Sequence, residues 1–78
     1  MLTAEQVLDE YFLENRCMLL EIAATLDRYD AARQREGGPS DVGDPRLDKI
    51  FRSLTILADR GAADRAERLL KLFSDPVD

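Results

Sequence analysis

The fold of this chain is decided by residues 7–32, which read VLDEYFLENRCMLLEIAATLDRYDAA. At helical spacing these residues place apolar side chains on two opposite faces. The larger stripe consists of Leu8, Tyr11, Phe12, Met18, Leu19, Ile22, Leu26 and Tyr29. The smaller stripe consists of Leu13, Cys17, Leu20 and Ala24. Because a surface helix needs only one apolar face, this pattern predicts a helix packed between its own C-terminal half and another surface.

Local signals predict where this first helix begins and ends. Thr3 and Gln6 fit a capping box, in which each side chain binds a free amide at the helix start. No proline or glycine follows until Gly37, so we expect a helix over residues 4–35. Residues 37–43 are rich in glycine and proline, which predicts a mobile connecting loop. A phosphate-binding loop is not expected there, because no Gly-Lys-Ser/Thr pattern follows.

Two shorter helices are predicted after this loop. Asp44 and Pro45 form a helix start, with an acid at the N-cap and proline at the first helical position. Gly61 is a stop signal between helices expected over about 45–59 and 62–73, and Pro76 ends the second of them. The predicted fold class is therefore all-α, a long N-terminal helix plus a C-terminal two-helix hairpin in a single domain over residues 1–78.

Periodicity also predicts which residues of the hairpin face inward. In the helix over about 45–59 they are Leu47, Ile50, Phe51, Leu54, Leu57 and Ala58. In the helix over about 62–73 they are Ala66, Leu69, Leu70 and Phe73. Ile56 and Leu72 lie off these faces, so each is expected to be singly exposed or to extend a contact surface.

Size and composition favour self-association. A 78-residue chain supports one domain with a marginal core, and such chains usually gain stability from disulfides, metals or oligomerisation. One cysteine and no histidine leave no intrachain disulfide and nearly exclude a zinc site. We therefore expect a homodimeric helical bundle formed through the first helix, without a cofactor, a metal or catalytic residues.

Charge and hydropathy indicate the cellular location and the classes of partner that we expect for this chain. No apolar run approaches the roughly 20 residues that span a bilayer, and residues 1–5 do not resemble a signal peptide, so we expect a cytoplasmic chain. The net charge of −5 opposes binding to nucleic acid or anionic membrane. Residues 1–44 carry ten acids and four bases, whereas residues 46–73 carry four acids and seven bases. An acidic helix beside a basic hairpin is the favoured interpretation, and an acidic partner for the basic half is the alternative.

The candidate interface residues are Leu13, Asn15, Arg16, Cys17, Leu20 and Ala24. Asn15 interrupts the larger stripe. Three alternatives stay open for its side chain, which sets the register and number of the paired helices, faces solvent or contacts a ligand. Arg16 has only apolar neighbours at helical spacing, so its stem covers apolar surface or its guanidinium pairs with an acid of another helix or subunit. Cys17 is expected to be a buried structural thiol, and two copies would meet if a twofold axis crossed the helix there.

These features predict a non-enzymatic helical module for protein–protein interaction or an accessory role, docking a copy of itself or an unidentified protein. One alternative is a small-ligand or metal-binding protein or an enzyme, with Glu14, Asn15, Arg16 and Tyr29 as the contributors to a site in the bundle. A further alternative is an acidic nucleic-acid-related regulator, in which the second and third helices act as a helix-turn-helix.

Several short segments also resemble a signature of small uncharacterised bacterial helical proteins. They are Tyr11-Phe12-Leu13-Glu14-Asn15-Arg16, Leu19 to Ala24, Leu26 to Asp30, Ala66-Glu67-Arg68 and Phe73-Ser74-Asp75-Pro76. The resemblance covers about two thirds of the chain and implies a bacterial cytoplasmic helical protein. It implies no activity, ligand or catalytic residue.

Overall fold

A computed structural model describes residues 1–37 and 43–74 of the chain. The described residues form three helices and no strand, which confirms the all-helical class. The helices are α1 (Ala4–Arg35), α2 (Pro45–Leu57) and α3 (Arg65–Ser74). Residues 38–42 of the expected loop and the expected stop at Pro76 lie outside the described residues.

The chain divides into two units, Met1–Pro39 and Ser40–Asp78. The first unit contains α1, and the second contains α2 packed against α3. The single domain inferred from chain length stays a prediction.

The ends of α1 follow from local chemistry. The backbone N–H of Thr3 donates to Gln6 Oε1 at 2.9 Å, and the backbone N–H of Gln6 donates to Thr3 Oγ1 at 3.1 Å, so the capping box is formed. At the other end, Gly37 adopts a φ of 98°, a left-handed conformation that only glycine reaches without strain. The helix bounds therefore coincide with those expected from the capping signals.

The start of α2 is organised by Asp44. Its carboxylate accepts the backbone N–H of Arg46 at 2.8 Å, and Arg46 Nη2 lies 2.7 Å from Asp44 Oδ2. Hydrogen bonding from the Arg46 side chain, with a smaller contribution from its backbone, lowers the pKa of Asp44 from 3.8 to about 2. Pro45 occupies the first turn, as expected from the sequence.

The turn between α2 and α3 is longer than expected, because Asp59 draws three groups around itself. Its carboxylate accepts the backbone N–H of Gly61 at 3.1 Å and Arg68 Nη1 at 3.2 Å, while its carbonyl accepts Arg65 Nε at 2.9 Å. These bonds stabilise a non-helical turn, so α2 ends at Leu57 and α3 begins only at Arg65.

The contact between α2 and α3 corrects part of the predicted inward face, of which Leu47, Ile50, Leu54 and Leu69 are half-buried. Leu72, expected off the face, is the buried apolar residue of the described part of the chain, with 6% of its surface exposed. Lys49 and Ser53 of α2 are buried with it. By contrast, Leu70 and Phe73, predicted to point inward, are exposed.

Lys49 explains why this other face packs. Its Nζ donates to the carbonyl of Leu72 at 2.9 Å, and Ser53 Oγ donates to the carbonyl of Lys49 at 2.8 Å. The last carbonyls of a helix have no partner within it and carry partial negative charge, so an ammonium group is favourable there. The aliphatic stem of the lysine is buried while its head caps α3.

Candidate functional site

The smaller stripe of α1 is the candidate site, and its apolar side chains are uncovered in the single chain. Leu13 is 67% exposed and Leu20 is 54% exposed. Cys17 lies between them on the same face and is exposed, whereas Ala24 is half-buried. The burial expected for Cys17 requires a partner and stays a prediction.

A shallow open depression marks the position of Ala24 on this face. Its walls are formed by Leu20, Glu21, Ala24, Thr25 and Arg28. The depression exists because alanine stands where the stripe carries leucines in the turns before it. A hole of this kind, bounded by side chains of successive turns, is what a protruding side chain of another helix fills in helix packing.

Asn15 has its hydrogen bond within α1. Its Nδ2 donates to the carbonyl of Tyr11 at 2.8 Å, and the residue is exposed. This bond satisfies part of the amide group's hydrogen-bonding capacity without a ligand or a second helix. The role of Asn15 in register stays a prediction.

Three charged residues beside the smaller stripe have no opposite charge at helical pairing distance on α1. Glu14, Arg16 and Arg28 have no residue of opposite charge three or four positions away. All three are exposed, and within residues 1–37 and 43–74 none of them forms an ion pair. Their charges are therefore available to a neighbouring molecule.

The larger stripe is exposed along the first half of α1 and half-buried along the second. Leu8 and Phe12 are each 64% exposed, whereas Ile22, Leu26 and Tyr29 are half-buried. Near its end, Arg33 Nη1 donates to the Tyr29 hydroxyl at 2.9 Å, and the guanidinium lies 5.7 Å from the ring centre. This contact combines a hydrogen bond with a cation–π interaction.

The second unit carries an apolar surface that periodicity assigned to the core. Phe51, Leu57, Leu70 and Phe73 are all more than two fifths exposed. A separate open groove runs between α2 and α3, lined by Arg52, Ile56, Glu67, Arg68, Leu70, Lys71, Leu72 and Ser74. Its charged residues belong to the basic half of the chain, for which the sequence leaves an acidic partner open as an alternative. The burial of Lys49 that shapes this unit was missed, because a single lysine in an amphipathic helix carries no signal that distinguishes burial from exposure.

Neither a cluster of metal-ligating side chains nor a membrane-spanning helix is found among the described residues. No group of three or more histidine, cysteine, aspartate or glutamate residues is arranged there to hold a metal ion. None of the described helices combines the length and apolarity needed to cross a membrane. The acids Glu10, Glu14 and Glu21 line α1 as exposed side chains.

Comparison with known proteins adds no relative. No protein-family model, no curated protein and no solved structure matches the chain significantly. The resemblance to small bacterial helical proteins therefore stays a prediction.

Proposed function

We propose that the chain is a non-enzymatic helical interaction module that self-associates through α1. The observation that supports this proposal is the exposure of apolar side chains on two opposite sides of a 32-residue helix. No residue of α1 is buried in the single chain. Most of the stability of a helix in a protein comes from packing an apolar face, and soluble monomers rarely leave large apolar patches in water.

The interface in this proposal contains the smaller stripe and its polar neighbours. Leu13 and Leu20 supply the apolar contact, Cys17 and Ala24 leave room for close approach, and Arg16 pairs with an acid of the other subunit. The single cysteine, which cannot form an intrachain disulfide, is the reason to place this module in the cytoplasm.

The mass of the full chain in solution tests the proposal. Light scattering after gel filtration is expected to give about twice the 8.8 kDa chain mass. Replacing Leu13 and Leu20 together by glutamate is expected to return the mass to that of one chain, because two charges at a desolvated contact oppose association. The helical circular dichroism of the dissociated variant shows whether it remains folded.

Leu70→Glu is the matched control. Leu70 is 70% exposed, close to the exposure of Leu13, but it lies on α3. The control is expected to keep the dimeric mass. A monomeric wild type, or a dimer that only Leu70→Glu dissociates, contradicts self-association through α1.

A further inference from the structure

We propose that the second copy of this chain packs antiparallel on the smaller stripe, with Leu20 against the partner's Ala24 and Leu13 against the partner's Ala31. The proposal rests on the proposed function, because it specifies how two α1 helices pair. It follows from three features of α1, namely the acids on the same face before and after the smaller stripe, the depression at Ala24 and the charges on either side.

Paired helices pack in a seven-residue frame, with central positions at the contact and a flanking row on each side. The central positions of the face that carries the smaller stripe, from Glu10 onward, hold Glu10, Leu13, Cys17, Leu20, Ala24, Asp27, Ala31 and Gln34. One flanking row holds Glu14, Glu21, Arg28 and Arg35. The other holds Asp9, Arg16, Ala23 and Asp30.

The acids at central positions exclude a parallel pair in register. In that arrangement each central residue meets its own copy, so Glu10 meets the partner's Glu10 and Asp27 meets the partner's Asp27. Like charges brought together in a partly desolvated contact oppose association. In the antiparallel arrangement, Asp27 instead lies opposite the partner's Cys17.

The antiparallel arrangement also matches large side chains to small ones. Leu20 of each copy enters the depression at the partner's Ala24, and Leu13 lies over the partner's Ala31. The twofold axis then passes near residue 22, so every leucine of the smaller stripe is covered. Alternation of large and small residues across a contact lets two helices approach closely.

The flanking charges are complementary in this register. An antiparallel pair brings each flanking row against the same row of the other helix. Glu14 then faces the partner's Arg28, and Arg16 faces the partner's Asp30, each pair occurring twice by symmetry. Glu14, Arg16 and Arg28 are among the charges that have no opposite charge three or four positions away on α1, whereas Asp30 has Arg33 three positions away. Glu21 meets the partner's Glu21 near the axis, so Glu21→Gln is expected to tighten the dimer.

Sliding the helices by seven residues gives poorer contacts. One direction brings Glu14 against the partner's Arg35, but it carries Leu13 beyond the end of the partner's α1 at Arg35. The other direction opposes Glu14 to the partner's Glu21 and Asp9 to the partner's Asp30. Only the proposed register covers both leucines and pairs opposite charges.

Charge reversal in the full chain tests the register. Arg28→Glu is expected to raise the dimer Kd about tenfold at low salt, because two attractions become two repulsions, and the effect should shrink in 1 M salt. Arg35→Glu makes the same charge change in the same row without a facing acid, and its Kd should stay within about twofold of wild type. Combining Glu14→Arg with Arg28→Glu should restore the wild-type Kd, measured by sedimentation equilibrium.

The outcomes of this experiment are distinct. A dimer weakened as much by Arg35→Glu as by Arg28→Glu, or one that the double variant does not rescue, overturns the register and leaves self-association standing. A wild type that is monomeric at every concentration overturns the proposed function itself.

Thiol cross-linking tests the direction independently. In the proposed dimer the two Cys17 residues are offset by about 15 Å along the axis, so the wild type should not form a disulfide dimer. Asp27→Cys, with Cys17 kept, should cross-link rapidly with a short bis-thiol reagent. Gln34→Cys, one heptad further on the same face, is the control and should not. Disulfide dimers of the wild type through Cys17, or equal cross-linking of the two variants, overturn the antiparallel arrangement.

Discussion

The packing of α2 on α3 makes a quantitative prediction about two leucines of the same helix. Leu72 is 6% exposed and contributes the buried apolar side chain of the contact, whereas Leu70, two residues earlier, is 70% exposed. Replacing either residue by alanine removes three carbons and changes helix propensity by the same amount. The two variants therefore differ mainly in the burial that they remove.

The magnitudes follow from the exposed fractions. At about 0.8 kcal/mol per buried methylene-sized group, Leu72→Ala loses nearly all of the transfer free energy, about 2.3 kcal/mol. The same calculation for Leu70→Ala gives about 0.7 kcal/mol. A residual cavity adds to the first value, but only modestly, since a site between two helices at the surface can partly collapse.

Urea denaturation followed by far-ultraviolet circular dichroism measures both variants, at one fixed protein concentration because association shifts apparent stability. Leu72→Ala should lower the free energy of unfolding by about 1.5 kcal/mol more than Leu70→Ala does. If Leu70→Ala were equally or more destabilising, the packed face would be the one that periodicity predicts, and the arrangement of α2 on α3 would be refuted.

Three other predictions concern the ends of the helices. Lys49→Met should lower the free energy of unfolding, measured by urea denaturation, by about 1.5 kcal/mol, because it leaves the buried carbonyl of Leu72 without its ammonium donor. Lys71→Met removes only the exposed ion pair with Glu67 at 3.4 Å and should lower it by less than about 0.5 kcal/mol. Gly37→Ala should cost about 1 kcal/mol through its left-handed φ of 98°, although no atom lies within 4 Å of the added methyl group, and Gly61→Ala should be close to neutral. The folded-state pKa of Asp44 is lowered from 3.8 to about 2, so the stabilisation that its carboxylate contributes is complete above pH 3.8 and is lost as the pH falls through 2. The urea midpoints of wild type and Asp44→Asn should therefore converge between pH 3.8 and 2. A difference between the two midpoints that stays constant over this interval would contradict the prediction.

Part of the candidate site follows from the sequence. Helical spacing alone places Leu13, Cys17, Leu20 and Ala24 on one face, because 3.6 residues per turn fix which side chains share a side of a helix. The structure adds that these leucines are exposed in the single chain and that Ala24 forms a depression. What covers the face is a property of a second molecule, and self-association through it is a proposal.

The sequence by itself determined the helical class and the main helix ends. Thr3 with Gln6, Asp44 with Pro45, and Gly37 act through bonds and dihedral angles within a few residues, so their effects need no tertiary context.

Only the tertiary structure decided which faces of α2 and α3 meet. Periodicity predicted that Leu70 and Phe73 face inward, whereas both are exposed and Leu72 is buried. The rotation of one helix against the next depends on the turn that joins them, which is set here by the bonds converging on Asp59. It depends also on Lys49, whose ammonium group reaches the end of α3 while its stem is buried. Apart from the local bond between Asp59 and Gly61, these interactions join residues 6 to 23 positions apart, which helical periodicity does not relate.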